Sequence, residues 1–166
     1  TWIELSHPYE DAEDPIQKVT KTLQEYGFQN KRIGFERNCW FFTAPQQEQL
    51  FNSCPDASFV DCSGIVEEGR LIKSTYEIEL MKKAAGVTEA GMRAGIDAVR
   101  AGVTENDVAA EMHYAMIKAG GEWPAISPFV AAGERGAIGH ATWSGRPIRR
   151  GESVMLEIGG CLKRYH

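Results

Sequence analysis

Phe129-Val-Ala-Ala-Gly133 and Ser153-Val-Met-Leu-Glu157-Ile-Gly-Gly160 are two short apolar segments that decide the fold of this chain. A polar, glycine-rich connection joins them and contains Glu134-Arg-Gly-Ala-Ile-Gly-His140. Short apolar runs bounded by glycine predict strands. The stretch presents two ionisable groups, His140 and Glu157, among residues that favour burial. We therefore expect any chemistry of the chain to lie here.

The second of these strands is predicted to separate its side chains by face. Successive side chains of a strand point to opposite sides, so Val154, Leu156 and Ile158 share one face and Met155 and Glu157 share the other. A carboxylate on that second face either points to solvent or has a function. The alternation alone does not decide which.

His140 and Glu157 also have simpler structural interpretations. A histidine in a glycine-rich loop is more often a hydrogen-bonding group than a catalyst, and a glutamate in a strand is more often solvated. At the ends of adjacent strands, however, each group would tune the pKa of the other, and both could face a cleft. Spacing alone leaves both interpretations open.

Two helices are predicted before this stretch. Ser74-Thr-Tyr-Glu77 is a capping box, in which the serine hydroxyl and the glutamate carboxylate each accept a bond from the other residue's amide. Thr104-Glu-Asn-Asp107 repeats this cap and opens a second helix that runs to Gly120-Gly121. The apolar stripe predicted for the first helix consists of Ile78, Met81, Ala85, Thr88, Met92, Ile96 and Val99. The two helices should pack against each other and on a sheet.

Three glycines, Gly86, Gly91 and Gly95, interrupt the first helix. Each costs about 1 kcal/mol relative to alanine in an exposed helix. We therefore expect a neighbouring element to pack closely at these positions.

Residues 1–70 form a separate α/β pattern, and residues 71–166 form the second unit. The expected elements are a helix from Pro15 to Gly27, a strand from Arg32 to Glu36, a helix from Gln46 to Phe51 and a strand from Ser58 to Asp61. Trp40-Phe-Phe42 is expected to form an aromatic plug, and residues 64–70 are expected to lead into the second unit. So small a sheet has bare edges, which indicates further strands or pairing with another chain.

Composition excludes several classes of function. The 166 residues carry a net charge of -5, which argues against nucleic acid or anionic lipid as the main partner. No apolar run reaches the roughly 20 residues of a membrane span. The four cysteines show neither Cys-x-x-Cys nor zinc-ribbon spacing, and dispersed thiols are typical of a reducing cytoplasm, where we expect this protein. Cys161 is a rival nucleophile only if His166 can reach it, which the odd spacing opposes.

The order of these motifs resembles the pita-bread fold shared by creatinase, proline dipeptidase, aminopeptidase P and methionine aminopeptidase. The features that carry the resemblance are Ile72-Lys-Ser-Thr-Tyr-Glu-Ile78, Ala101-Gly-Val-Thr-Glu105, Phe129-Val-Ala-Ala-Gly133 before a histidine, and Gly151-Glu-Ser-Val-Met-Leu-Glu157-Ile-Gly159. The resemblance implies that residues 71–166 are the first half of a pita-bread catalytic domain. It also implies that residues 1–70 are the end of the smaller N-terminal α/β domain of the creatinase and prolidase branch, so that the chain is a fragment.

The resemblance also assigns site residues. His140 matches the active-site histidine, which transfers a proton in creatinase. Glu157 stands where metal-dependent members have their first metal-binding aspartate, and the later ligands of the family would lie beyond His166. Because this chain has Glu-Ile-Gly in place of Asp-Ile-Gly, no metal ligand is assigned, except Glu157 if the peptidase interpretation holds. Phe129, Tyr165 and His166 are our candidates for substrate binding.

Three functions follow from the resemblance. The first is a metal-independent hydrolase of C–N bonds in a small cyclic amidine or guanidino compound, similar to ectoine hydrolase and creatinase, with His140 as proton shuttle and no cofactor. The second is an Xaa-Pro metallopeptidase that acts on proline-containing peptides with two Mn, Co or Zn ions. The third is a catalytically silent binding module. The resemblance further implies a homodimer in which the N-terminal unit covers a neighbour's cleft.

Overall fold

A computed structural model describes residues 4–124 and 126–166. The chain divides into two compact units, residues 1–72 and residues 73–166. The architecture is mixed α/β, as the sequence predicted. None of the described helices is long and apolar enough to cross a membrane.

In its described residues, the first unit has a two-stranded parallel sheet and three helices. Its elements are α1 (Pro15–Glu25), β1 (Arg32–Phe35), α2 (Ala44–Ser53), β2 (Ser58–Asp61) and α3 (Ile65–Arg70). The strands pair in register from Arg32 with Ser58 to Phe35 with Asp61. The four predicted elements are present, while α3 occupies residues that we expected to form only a connection.

The aromatic plug predicted in this unit is wrong for two of its three residues. Phe42 packs edge-on against Phe35, with ring centroids 6.4 Å apart. Trp40 and Phe41 are instead 92% and 94% exposed. The rings that pack on the sheet include that of Phe51 in α2, whose centroid lies 5.1 Å from that of Phe35 in β1.

The second unit opens with α4 (Thr75–Ala98) and α5 (Glu105–Lys118), which pack against each other. Both predicted capping boxes are confirmed. The amide of Ser74 donates to the Glu77 carboxylate over 2.7 Å, and the amide of Glu77 donates to the Ser74 hydroxyl over 3.3 Å. Each cap satisfies amides that the first turn of a helix leaves without partners, which fixes where the helix begins.

The apolar stripe predicted for α4 is wrong by about one position. The buried residues are Leu80, Ala84, Val87, Gly91 and Gly95. Ile78 and Ile96, which were predicted to lie inside, are 42% and 59% exposed. Three of these five positions carry glycine or alanine, and neighbouring elements approach the backbone at Gly91 and Gly95, so hydrophobicity alone misplaces the face.

Close packing at the glycines of α4 is confirmed at two positions and wrong at the third. A Cβ atom on Gly91 would lie 2.6 Å from Met116 Cγ and 2.7 Å from Ile158 Cδ1. A Cβ atom on Gly95 would lie 2.7 Å from Met112 Cγ. A Cβ atom on Gly86 would meet nothing within 4 Å.

The sheet of this unit is the antiparallel pair β3 (Ile126–Ala132) and β4 (Val154–Gly159). Leu156 and Ile158 face α4, since their methyl groups lie against the backbone of Gly95 and Gly91. Glu157 pairs directly with Phe129, so these two side chains share the opposite face. The predicted division of the strand between two faces is therefore confirmed.

Candidate functional site

Three side chains converge on the face of the β3–β4 sheet that points away from the helices. His140 Nε2 lies 3.7 Å from Glu157 Oε1. The His140 ring also packs on the Phe129 ring, with centroids 5.2 Å apart. The structure thus brings together the two predicted catalytic residues and one of the three predicted substrate-binding residues.

His140 has a backbone conformation that is uncommon for its residue type. Gly133–Ala137 forms a 3-10 turn after β3, and His140 lies in the turn that follows, with φ of 54°. Residues other than glycine adopt this left-handed region in only a few per cent of cases, although histidine is enriched there. Such a conformation persists where surrounding contacts hold it, and it is frequent at functional sites.

The pair of His140 and Glu157 is open to solvent. The two side chains are 74% and 42% exposed. A separation of 3.7 Å is too long for a hydrogen bond but short enough for attraction between a carboxylate and an imidazolium. The arrangement leaves room for a ligand, and catalytic bonds are often long before a substrate binds.

Glu105 braces the segment that carries His140. Its side chain is fully buried at the first turn of α5 and accepts hydrogen bonds from the Ala132 amide, the Ser144 amide and the Ser144 hydroxyl, each over 2.8 Å. Arg135 Nε adds an ion pair at 3.3 Å. Burial raises the pKa of Glu105, but these bonds and the Arg135 charge outweigh it, so the pKa lies below its ordinary value.

Sequence reasoning did not identify Glu105 as a site residue. Its partners lie 27 to 39 positions along the chain, so no local pattern marks them. Two signals were present: Glu105 ends the motif Ala101-Gly-Val-Thr-Glu105 of the resemblance, and it directly follows the Thr104 cap, where carboxylates are common for helix stability alone.

A second carboxylate, Glu152, closes the turn before β4. It pairs with Arg146 and also accepts a hydrogen bond from the Arg149 amide over 2.8 Å. The hydrogen bonds from Arg146 and from the Arg149 amide lower the pKa of Glu152 from 4.5 to about 2. This pair fixes the start of β4.

Tyr165 and His166 lie apart from the cluster of Phe129, His140 and Glu157. The Tyr165 hydroxyl donates to Glu77 over 3.0 Å, at the beginning of α4. His166 lines a shallow depression on α4 with Thr88 and Met92. Their predicted role in substrate binding stays a prediction, and the structure gives them contacts with α4.

Cys161 is 1% exposed, so solvent does not reach its thiol in this structure. A buried thiol in apolar surroundings is generally inert.

Family comparisons agree with this architecture. The model of the Metallopeptidase family M24 matches residues 79–166, and that of the Creatinase/Prolidase N-terminal domain matches residues 1–72. The chain belongs to the M24 family. The fold expected from the resemblance, part of a pita-bread domain preceded by a segment of the N-terminal domain, is thereby confirmed.

Individual M24 relatives differ in what their names describe. The ectoine hydrolase of Halomonas elongata is 32% identical over 92% of this chain and 41% of its own length. The Xaa-Pro dipeptidase of Pyrococcus furiosus is 32% identical over 99% of this chain and 47% of its own length. Among solved structures, the Xaa-Pro dipeptidase from Bacillus anthracis matches with a TM-score of 0.78 and 32% identity over 90% of this chain and 41% of its own. The chain thus spans less than half the length of these relatives.

The two-metal centre of the peptidase interpretation requires several ligand side chains close together. In the described part of the chain, no group of three or more His, Cys, Asp or Glu side chains is placed to hold a metal ion. At the candidate site Glu157 is the carboxylate within reach of His140. Two bridged metal ions need several carboxylate or imidazole ligands. The described residues do not by themselves build that centre.

Proposed function

We propose that the whole protein hydrolyses a C–N bond in a small cyclic amidine or guanidino compound, with His140 as the proton-transfer group. The observation that carries the proposal is the placement of the His140 imidazole 3.7 Å from the Glu157 carboxylate on an open face of the sheet. Similarity to an ectoine hydrolase supports this class of substrate.

The reaction balances with these two side chains and water. The water oxygen forms a bond to the central carbon of the amidine, and one C–N bond breaks. The water oxygen becomes the carbonyl oxygen of the product and loses both of its protons, and the departing nitrogen gains both and leaves as an ammonium group. His140 moves the first of these protons from the water to that nitrogen. Glu157 has two oxygens, which match the paired N–H groups of an amidinium or guanidinium ion. Glu157 would thus hold the cationic substrate beside His140.

Phe129 adds an apolar wall to the proposed site. Its ring packs on the His140 ring, and Phe129 is the cross-strand partner of Glu157, so both side chains lie on the same face of the sheet. An aromatic face also attracts cations, and an amidinium or guanidinium is a cation. Phe129 would therefore orient a flat cationic substrate against the carboxylate.

A second candidate function is Xaa-Pro peptidase activity. It is favoured by the Xaa-Pro dipeptidase relative, whose identity equals that of the ectoine hydrolase. In this alternative Glu157 is one ligand of a centre with two Mn, Co or Zn ions, and a proline-containing peptide is the substrate.

One set of assays separates the two candidates. The whole protein is tested for hydrolysis of ectoine, creatine and an Xaa-Pro dipeptide, before and after exhaustive chelation, with its metal content measured. We expect amidine or guanidino hydrolysis that survives chelation. Dipeptide hydrolysis that is lost on chelation, in a protein that contained a stoichiometric amount of metal, would refute the first proposal and support the peptidase. Absence of hydrolysis with all three substrates would favour a binding module.

Substitution at the site tests the assigned roles. His140→Asn should lower kcat by about 10²–10⁴-fold, which is the usual contribution of a general acid or base. Glu157→Gln should raise KM more than it lowers kcat if the carboxylate holds the cationic substrate. Glu79→Gln removes an exposed carboxylate on α4, outside the His140 cluster, and is the matched control, for which we expect unchanged kcat and KM.

A further inference from the structure

The segment from the end of β3 to Ser144 carries His140, and both of its ends meet at one buried carboxylate. Ala132 lies before the 3-10 turn and Ser144 lies four residues after His140, yet both donate to Glu105 over 2.8 Å. Arg135, within the turn, pairs with the same carboxylate and donates from Nη2 to the Thr142 carbonyl over 2.5 Å. Glu105 thereby fixes the span that the His140 segment has to bridge.

We propose that Glu105 is the positioning residue of the site, which holds His140 in its left-handed backbone conformation opposite Glu157. This inference rests on the proposed function, because the proposed function gives His140 the proton-transfer role. Glu105 acts through the chain segment, since its contacts are with Ala132, Arg135 and Ser144 and not with the His140 ring.

Backbone bonds prevent Glu105 itself from shifting. The Glu105 amide donates to the Arg146 carbonyl over 3.2 Å, and the Ile148 amide donates to the Val103 carbonyl over 2.8 Å. These bonds tie the chain after Ser144 to the turn between α4 and α5. The carboxylate is therefore a rigid anchor, and the turn with His140 is the part whose conformation depends on it.

The anchor requires a charged acceptor. A carboxylate accepts all of the bonds made by Ala132, Ser144 and Arg135, whereas an amide of the same shape has only one acceptor oxygen. The NH₂ group of a glutamine at this position would face N–H groups that now donate to the carboxylate. Buried donors without acceptors are costly, so the segment should move to find other partners.

The test uses Glu105→Gln in this chain and follows the structure by NMR without substrate. We expect loss of the nuclear Overhauser contact between the His140 and Phe129 rings, and loss of exchange protection at the Ser144 amide. Contacts between Gly95 and Leu156 should persist, since they belong to the helix–strand packing on the other face of the sheet. Glu79→Gln is the matched control, because it breaks an exposed carboxylate–lysine pair on α4 in the same unit and should leave the His140–Phe129 contact intact.

A milder variant covers the case in which Glu105→Gln fails to fold. Ser144→Ala removes the hydroxyl bond and keeps the amide bond to Glu105. It should weaken the His140–Phe129 contact without abolishing it. An unchanged contact in both variants, or in Ser144→Ala when the other does not fold, would overturn the positioning role.

Kinetics of the whole protein then separate the two proposals. If Glu105→Gln displaces His140 and the proposed function is right, kcat falls while KM changes little, and Glu79→Gln leaves both unchanged. Loss of the ring contact with unchanged kcat would refute the role of His140 in catalysis and leave the positioning role standing. Unchanged ring contact with reduced kcat would refute the positioning role instead.

Discussion

Two alanine substitutions in α4 should have opposite effects on stability. Gly91→Ala places a Cβ atom 2.6 Å from Met116 Cγ, 2.7 Å from Ile158 Cδ1 and 3.2 Å from the Met112 carbonyl oxygen. Gly86→Ala places a Cβ atom on the same helix with nothing within 4 Å. The substitution is chemically identical, so the surroundings alone distinguish the two variants.

The expected magnitudes come from two terms. Replacing glycine by alanine inside a helix stabilises it by about 0.5–1 kcal/mol, and both variants gain this. Overpacking of a tight interface costs about 1–3 kcal/mol, and only Gly91→Ala suffers it. Gly86→Ala should therefore stabilise the unit by about 0.5–1 kcal/mol. The free energies of unfolding of the two variants should differ by about 1–3 kcal/mol, which is the overpacking term.

Urea unfolding followed by circular dichroism measures this difference. The midpoint should rise for Gly86→Ala and fall for Gly91→Ala, with similar slopes if the compactness of both states is preserved. Equal increases for both variants would refute the close contact between α4, Met116 and β4. Equal decreases would refute the open surroundings of Gly86.

Two further predictions concern the carboxylate pair and the helix cap. Because the pKa of Glu152 is about 2 in the folded protein, below its ordinary 4.5, its contribution to stability is complete above pH 4.5 and is lost as the pH falls toward 2. In Glu152→Gln, the free energy of unfolding should therefore fall less steeply between pH 4.5 and pH 2 than in the unmodified protein. An equally steep fall in both proteins would contradict the pairing with Arg146. Ser74→Ala should lower the free energy of unfolding by about 1 kcal/mol, since it removes the cap of α4. An unchanged urea midpoint would show that Ser74 does not cap the helix.

Local patterns predicted those parts of the fold whose causes are local. The caps at Ser74 and Thr104 act over three residues, and both helices begin where the sequence placed them. Strand alternation is also a local property, and it correctly separated Leu156 and Ile158 from Glu157. The buried face of α4 was misplaced, because glycine and alanine are buried there for their small size rather than for their hydrophobicity.

The candidate site shows the same division. The motif order identified His140 and Glu157, and the strand register brings Phe129 to the same face. Glu105 was missed, because a carboxylate after a helix cap is ordinary until its partners are known. Tyr165 and His166 follow β4 closely in sequence, yet the Tyr165 hydroxyl donates to Glu77 of α4 and His166 lies beside α4.

By itself, the sequence determined where the helices and strands other than α3 lie, which face of β4 carries its carboxylate, and to which family the chain belongs. These properties depend on neighbouring residues, or on an order of motifs that can be read along the chain. Only the tertiary structure decided that His140 adopts a left-handed conformation beside Glu157 and that Glu105 holds both ends of its segment. Those arrangements join residues 17 to 39 positions apart, and their energies come from contacts that exist only after the chain has folded.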